Sequence, residues 1–292
     1  MASPTPKRRT FTYKKLDRLE IPLDFYLPED AKSVPVLVWF HGGGLLQGNR
    51  VSVAPHMLKA VSKDNIALVS ADYRLAPQVG VADIFEDVKD CIAFIRNRLP
   101  SLAGDGVVDV SRLAVSGSSA GGYLAFLAGL YVEPKPQVIL PIYPITDPLG
   151  LFFTTSQPMP FGRPPPDVQA LQPFIDPQGK LMANNDADSK RNEMYMYMLQ
   201  GANLASLLHV KPGDDKWRVA RSVYEHRLPP AYVVHGDADG AVGVDQADEV
   251  VGAMLGCGLE VIYERLHGID HLFDKDESVT LEKMYEFMMN HL

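Results

Sequence analysis

Cysteine is scarce in this chain: Cys91 and Cys257 are the only two among 292 residues. Two are too few for a disulfide framework, so the expectation is free thiols in a reduced compartment. Long apolar runs are also missing, and none approaches the ~20 residues that cross a bilayer. Met1 to Lys15 is basic and polar with no apolar stretch after it, so no secretory signal is expected and the location reads as cytoplasmic. Positive charge is in deficit, with 28 Lys and Arg against 36 Asp and Glu and a net charge of −8. Such a surface repels phosphate backbones and anionic lipid, which argues against nucleic acid and membranes as partners. A phosphate-cradling loop is absent too: no Gly-Lys-Ser/Thr and no GxGxxG occurs. There is no internal repeat.

What is present is a soluble globular composition, 46% hydrophobic and 22% charged, on a chain long enough for a large core. Residues 1–10 read as a disordered tail. Short strands follow at Phe11–Leu16 and Leu23–Leu27. Val34 to Phe40 is a continuous apolar run, as a strand buried on both faces requires. Further buried strands read at Ile66–Ser70, Leu113–Ser116, Val138–Leu140, Ala231–Val234 and Leu259–Tyr263. Between them lie helical stripes, such as Val81, Ile84, Phe85, Val88, Cys91, Ile92 and Ile95 at three- and four-residue spacing. Another runs from Val244 to Leu255, and a last one from Leu281 to Met288. Alternation of this kind predicts an α/β fold, with a mostly parallel central sheet and helices on both faces. The rhythm breaks from Asp147 to Tyr224, where eight of the 23 prolines fall between Pro148 and Pro177. Residues 147–224 therefore read as an inserted cap over the C-terminal edge of the sheet, where ligands bind. Residues 11–146 and 225–292 form the core.

Chemistry concentrates at three places. Gly117-Ser118-Ser119-Ala120-Gly121-Gly122 follows a strand and opens an apolar helix, the context of a nucleophile elbow. Small residues must stand two before and two after the nucleophile, which selects Ser119 over Ser118. His41-Gly42-Gly43-Gly44 follows the first buried strand. Its glycines let backbone N–H groups turn toward an oxyanion, with Gly43, Gly44 and Ala120 as donors. His41 itself reads as structural. A serine needs a base, and the base needs an orienting acid. His267 and His271 follow one late strand, and Asp237 and Asp239 follow another. His271 and Asp239 sit deeper in their loops and are preferred. Asp245 reads as a first-turn charge of the next helix, and His56, His209 and His226 as surface or packing residues.

With Asp72-Tyr73-Arg74-Leu75-Ala76-Pro77, the Gly236–Asp239 turn and the Gly268–Phe273 turn, these motifs resemble the hormone-sensitive-lipase-like branch of the α/β-hydrolase fold. The resemblance spans residues 35 to 290 apart from the cap. It implies hydrolysis of carboxylic esters without cofactor or metal. It implies Ser119, Asp239 and His271 as catalytic residues, Gly43, Gly44 and Ala120 as the oxyanion hole, and a cap over the acyl pocket. Leu45, Tyr195, Met196 and Met198 are the candidate substrate-contacting residues. Two departures stand out: Gln78 replaces the usual Glu after Pro77, and Leu45 and Leu46 follow the glycines where Phe or Tyr is common. The expected activity is a serine esterase acting on a small-molecule ester, thioester or lactone of small to medium acyl group. The alternatives are an acyltransferase, cyclase or lactonase step using the same triad, and a non-catalytic small-molecule receptor on this fold.

Overall fold

A computed structural model describes residues 6–292. Eight strands form one sheet: β1 (Lys7–Leu16), β2 (Leu19–Leu27), β3 (Val34–Phe40), β4 (Ala67–Ala71), β5 (Val108–Ser118), β6 (Val138–Ile142), β7 (Ala231–Gly236) and β8 (Val261–Leu266). Their order is β1-β2-β4-β3-β5-β6-β7-β8. Pairings from β4 through β8 are parallel, while β1–β2 and β2–β4 are antiparallel. Among the described residues ten α-helices accompany them: α1 (Pro55–Lys63), α2 (Val81–Ala103), α3 (Ala120–Tyr131), α4 (Leu151–Thr154), α5 (Val168–Ile175), α6 (Met194–Gly201), α7 (Leu204–Leu207), α8 (Val219–Ser222), α9 (Asp245–Gly256) and α10 (Glu282–His291).

The central strand β3 is buried along its whole length, and its side chains divide by the two-residue period of a strand. Val34, Val36, Val38 and Phe40 join the core cluster under α2, α3 and α9. Leu37 and Trp39 join the opposite cluster under α1 and α10. The sheet is thus covered on both faces, which is why its strands read as unbroken apolar runs rather than alternating ones.

One expectation is corrected here. The chain from Lys7 to Thr10 is not a tail but the start of β1, in register with Leu27 to Asp24 of β2. The basic residues sit on an edge strand, where charge is compatible with pairing on one side only. Thr10 Oγ1 donates to Asp24 at 2.6 Å and helps to fix the register. Residues 1–5 lie outside the described residues.

Residues 147–224 hold only short helices and loops, as their broken periodicity implies. A buried arginine fastens this segment to the body. Arg191, with no exposed surface, donates from Nε to the Leu46 carbonyl at 2.6 Å and from Nη2 to the Ala76 carbonyl at 2.7 Å. Nη2 also reaches Gln78 Oε1 at 2.9 Å. Among the described residues no carboxylate pairs with it, and burial alone brings its pKa down to about 10. Gln78, one of the departures noted above, is therefore the neutral partner of a buried cation.

Candidate active site

The site is built where β3, β5, β7 and β8 end. At the close of β5 the chain must turn directly into α3. Ser119 makes that turn with φ 59° and ψ −119°, a left-handed conformation a non-glycine residue adopts only when its surroundings enforce it. The flanking glycines explain how. A Cβ on Gly117 would lie 2.1 Å from the Gly121 backbone, and one on Gly121 would lie 1.9 Å from the Phe40 carbonyl oxygen. Ser119 thus stands at the N-terminus of a helix buried along almost all of its length, where the helix dipole favours negative charge.

The glycine loop after β3 faces it. Gly43 and Gly44 have φ of 108° and 68°. The space around them does not admit side chains: a Cβ on Gly43 would meet the Gln47 carbonyl oxygen at 2.1 Å, and one on Gly44 the Tyr195 ring at 2.5 Å. Among the described residues the Gly43 and Gly44 N–H groups have no hydrogen-bond acceptor. His41 is scaffolding, as expected. Its Nδ1 donates to the Gly42 carbonyl at 2.8 Å, its ring stacks on Tyr73 at 4.2 Å, and the Tyr73 hydroxyl donates to the His41 carbonyl at 2.7 Å.

Burial pushes the His41 pKa down to about 4. The unfolded chain therefore takes up this proton first as pH falls, from the ordinary value near 6.5. The stability contribution is complete above about pH 6.5, shrinks between about 6.5 and 4, and amounts to about 3 kcal/mol over that window. Denaturant unfolding measured at pH 7 and pH 5 should show about 2 kcal/mol of this loss, and His41→Asn should flatten it. An unchanged pH slope in the variant would contradict the burial argument.

The two loops bearing Asp and His residues separate them cleanly. His271 Nδ1 donates to Asp239 Oδ2 at 2.6 Å. Asp239 Oδ1 accepts from the backbone N–H groups of Ala241 and Val242, both at 2.8 Å. His235 Nε2 lies 3.2 Å from Asp239 Oδ2. Although desolvation opposes it, this set of hydrogen bonds holds the Asp239 carboxyl well below the usual carboxylate range. With Nδ1 protonated, His271 keeps Nε2 as its acceptor. Its ring packs on Tyr143 at 4.3 Å. Asp237 instead accepts from Gly268 N at 2.6 Å and pairs with His267 at 3.0 Å, and the His267 side chain is 97% exposed.

Ser119, His271 and Gly43 line one cavity of about 240 Å³, together with Trp39, Tyr143, Phe161, Tyr195 and Met196. Among the described residues no hydrogen bond joins Ser119 Oγ to His271; what they share is the wall of this cavity. Tyr195 and Met196 of α6 stand where the cap was expected to meet the pocket. Tyr195 is held by its hydroxyl on the Ala241 carbonyl at 2.7 Å and its N–H on Gln47 Oε1 at 3.0 Å. Two expected substrate contacts lie elsewhere. Met198 is wholly buried in the core cluster, because about 200° of helical rotation separates it from Met196. Leu45 is wholly buried as well, turned into the core at φ 63°. His235, Tyr143 and Trp39 went unassigned in the sequence, although His235 stands at the head of the Gly-Asp turn it supports.

Comparison with known proteins follows the geometry. The BD-FAE family model matches residues 23–152. A non-reducing polyketide synthase of Penicillium roqueforti is 26% identical over 97% of this chain, which covers 14% of that synthase. One of Stachybotrys bisbyi is 39% identical over 47% of this chain and 7% of its own length. The chain thus spans a small fraction of these curated relatives. Among solved structures, an α/β-hydrolase superfamily protein from Enterococcus faecalis aligns with TM-score 0.74 and 18% identity, covering 96% of both chains. An esterase from Pyrobaculum calidifontis aligns with TM-score 0.69 and 22% identity, covering 98% of this chain and 85% of that one. These likenesses agree with the fold that the motifs imply, and the chain has the α/β-hydrolase fold.

Proposed function

We propose that the protein is a serine hydrolase of carboxylic esters, thioesters or lactones with a small to medium acyl group. The observation that carries this reading is the 2.6 Å bond from His271 Nδ1 to a buried, backbone-anchored Asp239, on the wall of the cavity that holds the elbow residue Ser119. Ser119 Oγ attacks the carbonyl carbon while His271 Nε2 takes its proton. The negative charge moves to the carbonyl oxygen, opposite the N–H groups of Gly43, Gly44 and Ala120. Asp239 keeps the imidazole in the productive tautomer and stabilises its charged form. Collapse of the intermediate expels the alcohol or thiol, which takes the proton back from His271. Water then repeats the cycle on the acyl-enzyme and releases the acid. No helix among the described residues is long and apolar enough to cross a membrane. A reduced, cytoplasmic setting is our reading of the two free cysteines, one of them buried.

Turnover of a 4-nitrophenyl ester series of increasing chain length tests the proposal. Stoichiometric binding without turnover would favour the receptor alternative. A second reading draws on the polyketide synthase relatives: the acyl-enzyme passes its acyl group to an alcohol, or to a hydroxyl of the acyl chain itself, rather than to water. Product analysis in the presence of added alcohols distinguishes the two, since transfer yields new ester in place of free acid.

The wall formed by α6 yields a further expectation. Met196→Trp should shift the preferred acyl chain toward shorter members with stability nearly unchanged. Met198→Trp should leave the preference in place and cost ~1–3 kcal/mol by overpacking. Chain-length profiles and melting curves of both variants check this.

A further inference from the structure

The cavity contains a cation that the proposed reaction does not use. Lys275 lies four residues beyond His271, at the end of the short helical turn Phe273–Lys275, and it lines the same cavity as Ser119. Its Nζ sits 5.4 Å from the centre of the Trp39 ring and donates to the Ser52 carbonyl. Trp39 and Ser52 are themselves cavity residues. The neighbouring carboxylate, Asp274, is committed elsewhere. It accepts from the Tyr143 hydroxyl and, at 3.1 Å, from Ser118 Oγ, with His56 Nε2 at 3.9 Å. Among the described residues no carboxylate comes within the 4.0 Å of an ion pair with Lys275.

A half-buried ammonium with one neutral acceptor and one ring face is under-solvated. Burial accordingly lowers its pKa against the opposing pull of Asp274. The other cation of the cavity, Arg163, differs in that it is already paired with Glu193 at 2.6 Å. In a chain of net charge −8, the general field does not attract anions, so selection for one must come from such a local charge.

We propose that Lys275 is a specificity-determining residue that binds an oxyanion, such as a carboxylate, carried on the substrate at a distance from the scissile carbonyl. The substrate class is then an ester or thioester bearing a second acidic group. This rests on the hydrolase reading. The anion belongs either to the acyl arm or to the leaving group, and two substrate pairs separate these. Mono-4-nitrophenyl adipate is compared with 4-nitrophenyl hexanoate, and 4-carboxyphenyl hexanoate with phenyl hexanoate.

The expected result is that kcat/KM of the wild-type protein favours the anionic member of one pair by about tenfold at low salt, the size of a charge-assisted hydrogen bond. Added KCl should shrink the preference. Lys275→Gln should bring the ratio within that pair close to that of the uncharged reference, and Lys275→Arg should retain most of it. Reading a ratio within one variant makes the test independent of any general loss of activity or folded fraction. The inference is overturned if the wild-type protein favours neither anionic ester, or if Lys275→Gln keeps the wild-type ratio. Hydrolysis of the neutral esters without anion preference leaves the hydrolase reading standing and the inference refuted. No turnover of any of the four removes both.

Discussion

Ser119→Ala should leave the protein folded and lower ester turnover by at least a factor of ~10³, since loss of the nucleophile in a serine hydrolase leaves only oxyanion and binding effects. The fold tolerates the change because the cavity side of the elbow holds the hydroxyl without a hydrogen bond, while the strained turn is enforced by contacts around Gly117 and Gly121. A phosphonate probe should label Ser119 and spare Ser118. The reason is the side-chain network around Ser118: its Oγ accepts from Trp39 Nε1 at 3.2 Å and donates to Asp274 at 3.1 Å. It is almost wholly buried, its proton is held by a carboxylate, and among the described residues no hydrogen bond joins it to a histidine. Thermal melting, steady-state assay and mass mapping of the label together check the assignment. Residual activity above about a hundredth of the parent, or label on Ser118, would overturn it.

Asp239→Asn should lower kcat by about 10⁴, the size known for the equivalent change in another triad enzyme, because an amide in that position favours the wrong imidazole tautomer. Asp237→Asn should cost far less in rate and lower stability only slightly, through its turn hydrogen bond to Gly268. The geometry sharpens this contrast. Asp239 is anchored by two backbone N–H groups and bonded to His271, whose side chain is 6% exposed. Asp237 holds a histidine of its own, His267, but that pair faces solvent, where the interaction is weak. The two variants should be assayed side by side on one 4-nitrophenyl ester near pH 8. A dead Asp237→Asn beside an active Asp239→Asn would reverse the choice of acid and leave the hydrolase reading intact.

That pair of pairs shows where the sequence was informative. Two aspartates two residues apart and two histidines four apart offer four combinations, and depth in the loop pointed to the buried one. The elbow was legible because part of it rests on local sterics: Gly117 must be small because the Gly121 backbone lies against it within the same turn, while Gly121 answers to the end of β3 at Phe40. The central strands were legible for a similar reason, as burial on both faces writes itself into every position of Val34–Phe40. The N-terminal strand was legible only from Phe11 onward, since its first residues, carrying Lys7, Arg8 and Arg9, have the composition of a tail and become strand only through their register with β2. The helices of residues 147–224 include several of four residues, too short to express a period. The cavity wall was only half legible, because a methionine-rich run does not say which methionine faces inward. Lys275, Trp39 and Tyr143 meet there from three separate elements, a convergence with no signature along the chain.

The attachment of the cap has a consequence for how the molecule comes apart. Arg191 holds two body carbonyls, those of Leu46 and Ala76, from within the inserted segment, and Leu46 closes the turn that carries the glycine loop. Swinging residues 147–224 away would strand a guanidinium's acceptors and break the loop beneath it at the same moment. The insertion is therefore a cooperative part of the body rather than a subunit that opens on its own free-energy scale. Amide protons of α6 should exchange on the same slow timescale as those of β3. Traffic to Ser119 is left to side-chain motion at the cavity mouth, where Phe161, at φ 58° and 48% exposed, stands beside Arg163.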